Sequence, residues 1–156
     1  MSIRDLVKRS PQLSEDYVLT LGGAVYYFSD AEWMAVACCE AMEEGYKRTV
    51  MFDERHEGAR NVAEKLISLT KKLPSSDGQV ALLAAAYEFE ALVVDDRNPL
   101  FHAHPVAVDD EAVLHSSKHQ KTFSMEALED YTQRAFDCQH ALNHACYKFL
   151  EVAIDA

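Results

Sequence analysis

The chain is poor in the residues and patterns that mark many common protein classes. No apolar run approaches the roughly 18 residues of a membrane span, so a helical membrane protein is not expected. The first ten residues, MSIRDLVKRS, mix charged and apolar side chains and lack the apolar core of a signal peptide. A cytoplasmic protein without membrane association is therefore expected. Cysteine is scarce: Cys38, Cys39, Cys138 and Cys146 form no CxxC pair and no zinc-finger spacing. They read as small buried residues in a reducing compartment. With only 5 glycines, the chain has no Gly-rich phosphate loop and no GxSxG elbow. Basic residues are outnumbered, 15 against 26 acidic ones, for a formal charge of −11. That balance argues against nonspecific duplex binding, which rests on many Lys and Arg contacts to phosphates. A local basic site on an acidic body stays compatible with it.

What is present is an ordinary globular mixture, 49% apolar and 26% charged in 156 residues. One domain spanning 1–156 is expected, long enough to bury a core without metal or disulfides. The fold class is mainly α, a helical bundle of four to five helices with a small N-terminal β-hairpin. The hairpin is read from YVLTL and AVYYF, which flank Gly22-Gly23. The rival reading is a helix from Ser14 carrying two central glycines at about 1 kcal/mol each. Ser29 to Glu32 reads as a capping box, followed by a helix from about Asp30 to Glu44. Further helices are expected over Val50–Lys72, Gln79–Asp96 and, after the N-cap Ser124, to about Ile154. Residues 103 to 123 look irregular, with short strands around Val113 and Thr122. The last helix carries a second, mixed stripe of Phe136, His140, Asn143, Tyr147, Leu150 and Ile154, which suits a partner. A homodimer through this helix is expected.

The stretch DDRNPLFHAHP, from Asp95 to Pro105, holds an arginine and a histidine five residues apart. On a straight helix the two would diverge by about 140°. Pro99 lacks an N–H and pushes Asn98 away from the α region. Asn98-Pro99 is therefore expected as N-cap and N1 of a new turn, with Arg97 at N′ and His102 at N4, side by side. A guanidinium and an imidazole near free N–H groups suit a phosphate. The histidine can serve as general base or acid at a 2′-hydroxyl or a leaving oxygen. The arginine can stabilise charge on a phosphorane-like transition state. An exposed loop with the same composition is the plain alternative, since this spacing is common.

RNPLFH resembles the RNxxxH form of the Rx4-6H motif of the HEPN superfamily, the higher eukaryotes and prokaryotes nucleotide-binding domain. The order of parts is also similar: an apolar helix leads into the motif, an irregular stretch follows, and a long amphipathic helix comes after. The resemblance implies an all-α bundle, usually dimeric, with two motifs meeting across the interface. It implies a metal-independent endoribonuclease of a toxin–antitoxin or phage-defence system, acting on RNA without a cofactor, although some members only bind. Arg97 and His102 would be the catalytic pair and Asn98 their support. The nearby residues His104, Lys118, His119 and Lys121, several of them in HSSKHQK, are candidate substrate-binding groups.

Two other classes compete. HxxxH occurs at His115/His119 and at His140/His144, and on a helix such a pair can bind zinc, nickel or iron. Joined by His56 or Glu57, the pair His140/His144 could build a three-ligand metal site in a helical bundle. Alternatively, an acidic helical domain suits a non-catalytic antitoxin, immunity protein or accessory subunit that masks a basic partner. The acids Glu40, Glu43, Glu44, Asp53, Glu54 and Glu57 read as a solvated face paired with Arg48, Arg55 and Arg60.

Overall fold

A computed structural model of the chain describes residues 13–52 and 58–150. Helix α1 runs unbroken from Glu15 to Met42. Ser14 caps it, its hydroxyl accepting the Tyr17 N–H at 3.1 Å, and Glu15 and Asp16 favour the positive end of the dipole. The expected hairpin at Gly22-Gly23 is therefore not formed, and the rival helix from Ser14 is what occurs. Burial explains the outcome. Tyr17, Ala24, Phe28, Ala31, Ala35 and Cys38 are all buried and follow the helical period. Ser29 starts no helix; its hydroxyl donates to the Val25 carbonyl at 2.8 Å within α1.

Helices α2 (Tyr46–Phe52) and α3 (Ala59–Thr70) take the place of the single helix expected over Val50–Lys72. Residues 53–57 between them, with His56 and Glu57, lie outside the described residues. After Pro74, Ser76 caps α4 (Asp77–Ala91), accepting the Gln79 N–H at 3.1 Å. The chain then widens into a π-helical turn, Leu92–Arg97, and continues as the short α5, Asn98–Phe101.

The expected break before Pro99 does not occur. Asn98 is helical, with φ −64° and ψ −45°, and its N–H reaches back five residues to the Val93 carbonyl. On a regular helix the proline ring would collide with the Asp95 carbonyl, four residues back. The widened turn is the kind of insertion that relieves such a conflict. The Asp95 carbonyl accepts the Lys121 ammonium instead.

Three antiparallel strands follow in the order β1-β2-β3: His104–Val108, Glu111–Ser116 and Lys121–Phe123. The chain does build a two-residue hairpin, but here. Asp109 and Asp110 turn between β1 and β2 with φ of 49° and 64°, the positive pair that such a turn needs. Pro105 is tolerated because β1 is an edge strand. Tyr17 pins the sheet to the bundle: its hydroxyl donates to the Phe123 carbonyl at 2.5 Å and accepts the Leu114 N–H at 3.0 Å.

Helix α6 (Met125–His144), capped by Ser124, runs into a second π-helical turn, Ala145–Leu150. α1 packs on α6, α6 on α4, α4 on α3 and α3 on α1, which closes a four-helix ring. At its centre Phe28 stacks on Phe89, ring centres 5.8 Å apart, and Tyr131 is buried beside them. All four cysteines are buried, and no disulfide occurs among the described residues. The molecule is thus a mainly α bundle with a small sheet between α5 and α6. No described helix is long and apolar enough to cross a membrane.

Candidate functional site

Asp96 sits on the π-helical turn with only 4% of its surface exposed. A buried carboxylate is costly unless it is paired. Lys121 from β3 reaches it at 2.6 Å and Arg134 from α6 at 3.0 Å. Arg134 also holds Glu88 of α4 at 2.8 Å. These four side chains lock α4, the sheet and α6 together at the level of the Arg97 motif. Lys121, a candidate for substrate binding, is thus tied to Asp96 with part of its side chain exposed.

Arg97 follows Asp96 directly. Its guanidinium lies 4.5 Å from the centre of the Phe101 ring, and its NH1 donates to Asn98 Oδ1 at 2.9 Å. Its Nε is buried and has no hydrogen-bond partner among the described residues. The Tyr131 phenol lies near enough to feel both neighbours. Burial raises its pKa most, the Asp96 charge raises it further, and Arg97 opposes them.

His102 ends α5 and is exposed. Its ring centre lies 5.6 Å from that of His119, in the β2–β3 turn. His119 is oriented by Ser116, whose hydroxyl lies 3.0 Å from Nδ1. Its pKa falls below the ordinary histidine value, through desolvation first and then the charges of Lys118 and His102. His104 and His115 face each other across β1 and β2 with ring centres 6.3 Å apart. Of the 7 histidines in the chain, His102, His104, His115 and His119 therefore gather near one end of the sheet. A shallow groove of about 500 Å³ runs beside His119, lined also by Val94, Asp95, Pro99, Gln120 and Lys121.

No hydrogen bond or ring contact joins Arg97 and His102 among the described residues. The N′/N4 juxtaposition required an extended Asn98, and Asn98 is helical. Asn98 does not cap; it holds the arginine instead. Asp96, Glu88, Arg134 and Ser116 escaped the sequence reading. An aspartate at the end of an apolar helix was the available signal, and its partners lie 25 and 38 residues away.

The other candidates stay apart from this site. His140 and His144 are exposed on α6, and the His140 ring packs edge-on against Phe136 with centres 4.3 Å apart. No group of three metal-ligating side chains occurs among the described residues. Glu40 has a backbone role, accepting the Gly45 and Lys47 N–H groups at 3.0 and 2.7 Å. Those two bonds hold its carboxyl below the usual pKa. Glu43 pairs with Lys65 at 2.8 Å and Arg60 with Glu64 at 3.0 Å.

No family model, curated protein or solved structure matches the chain.

Proposed function

We propose that the chain is a metal-independent endoribonuclease of HEPN type, acting on RNA as a homodimer in a toxin–antitoxin or phage-defence system. The observation that carries this reading is the pairing of His102 with His119 one turn beyond an arginine whose buried Nε is unbonded. In the reaction, His102 either takes the 2′-hydroxyl proton or gives a proton to the leaving 5′-oxygen, and solvent water serves the other oxygen. The 2′-oxygen–phosphorus bond forms, the bond to the 5′-oxygen breaks, and a 2′,3′-cyclic phosphate remains. Arg97 leaves the Phe101 face to meet the developing charge, and Asn98 holds it in range. His104, Lys118, His119 and Lys121 bind the substrate phosphates. The acidic body confines RNA to this end of the molecule.

The test is cleavage of mixed single-stranded RNA in excess EDTA. The wild type should cleave. His102→Ala and Arg97→Ala should each lose about 10²-fold or more, and His140→Ala should change little. A wild type that leaves the RNA intact overturns the reading.

A second reading is a non-catalytic interaction module for a basic partner. It is favoured by apolar side chains left exposed along α4, the π-helical turn and α5. Val80, Tyr87, Val94 and Phe101 are 60%, 45%, 45% and 62% exposed and recur every seven residues. A basic protein that copurifies with the chain and is released by Tyr87→Glu would favour it over catalysis.

A further inference from the structure

We infer that His104 and His115 form a binding site for a divalent transition-metal ion of the zinc, nickel or copper class, which shares His104 with the proposed substrate-binding groups but does not rest on the ribonuclease reading. The register places the two histidines directly opposite each other on neighbouring strands, so both side chains stand on one face of the sheet. Thr122 lies opposite His115 on β3, on the same face, and its hydroxyl is 2.9 Å from His115 Nδ1. With Nδ1 engaged, Nε2 is the nitrogen left for a metal. A hydrogen bond to the far ring nitrogen is what fixes and supports a ligating imidazole.

The spacing fits with a small adjustment. Two imidazoles bound through Nε2 at about 2.0 Å, on a tetrahedral ion, have ring centres roughly 5 Å apart. The observed separation is 6.3 Å. His104 is exposed at the start of an edge strand, so rotation of its side chain closes the remaining distance of about 1 Å. Neutral imidazoles suit zinc, nickel and copper rather than magnesium or calcium. Water completes the shell, since no third ligand is grouped with the pair among the described residues. The neighbouring pair His102/His119 is less suited, because the Lys118 charge bears on His119. The helical pair His140/His144 has one ring committed to Phe136. A net charge of −11 raises the local concentration of cations.

The test is titration of the purified protein with Zn2+ and with Ni2+, followed by calorimetry and by the imidazole signals in NMR. Saturable binding at one site is expected, with the His104 and His115 signals perturbed first. His104→Ala and His115→Ala should each abolish it. Thr122→Val should weaken it by about ten- to a hundredfold. All three substitutions lie on a half-exposed sheet face, and an unchanged helical circular dichroism spectrum shows that the variants fold. Binding that survives loss of His104, that disappears instead with His102→Ala or His140→Ala, or that is absent at millimolar metal overturns the assignment. RNA cleavage in EDTA is unaffected by this result, so the two proposals fail separately.

Discussion

Asp96 is the residue on which the site's rigidity turns. Its carboxylate is buried and held by Lys121 and Arg134, whose side chains are 31% and 33% exposed. Removing one partner of a fully buried pair costs about 3–5 kcal/mol, because the other charge is left uncompensated. Here the two cations keep access to water and Arg134 keeps Glu88, so screening reduces the loss. Asp96→Ala is expected to lower the unfolding free energy by about 2 kcal/mol in urea melts. Arg134→Met should cost less, since Lys121 still neutralises Asp96. A shift in the His119 NMR signals should accompany Asp96→Ala, because Lys121 starts β3 two residues after His119 in the β2–β3 turn. If Asp96→Ala melts like the wild type, the cluster is a surface ornament and does not hold the site.

At the scale of the element, the glycines separate the two readings of the N-terminal region. Inside α1, a Cβ on Gly22 meets nothing within 4 Å, and one on Gly23 meets only Thr132 Cγ2 at 3.6 Å. Gly22→Ala should therefore stabilise by about 0.5–1 kcal/mol and raise Tm by roughly 1–4 °C. In a hairpin turn of positive φ the same change would destabilise, so one thermal melt decides between the two. Gly78→Ala should go the other way, since its Cβ would fall on the Phe149 ring, at a cost of about 1–3 kcal/mol. The sequence pattern pointed to the bundle, the caps at Ser124 and the break at Pro74, and to strands near Val113 and Thr122. It misplaced the hairpin because Gly-Gly is a stronger local turn signal than Asp109-Asp110. The burial of Tyr17 and Phe28 against distant helices, which decides the matter, is not a local property. Pro99 misled for a related reason. Its conflict with the Asp95 carbonyl is absorbed by a π-helical turn and by Lys121, a donor 26 residues away. The members of the Arg97 motif were legible, but not their arrangement, which depends on that turn.

For the whole molecule, the proposed homodimer has two candidate faces. On the last helix, much of the mixed stripe is used internally: Leu150 is buried and Phe136 packs edge-on against Tyr27 at 5.2 Å. His140 and the 54%-exposed Tyr147 remain outward. The exposed apolar side chains from Val80 to Phe101 extend further and reach the Arg97 motif. A twofold pairing of such a surface with its own copy is self-complementary. Tyr87→Glu places two carboxylates in that contact, whereas Tyr147→Glu tests the last helix, so sedimentation of the two variants assigns the interface. Salt then separates dimerisation from RNA binding. Each protomer carries −11, so added salt screens the repulsion between copies and should tighten the dimer. RNA binding releases counterions from phosphates and should weaken over the same range. A dimer that loosens with salt would mean that ion pairs, not the apolar side chains, hold the copies together.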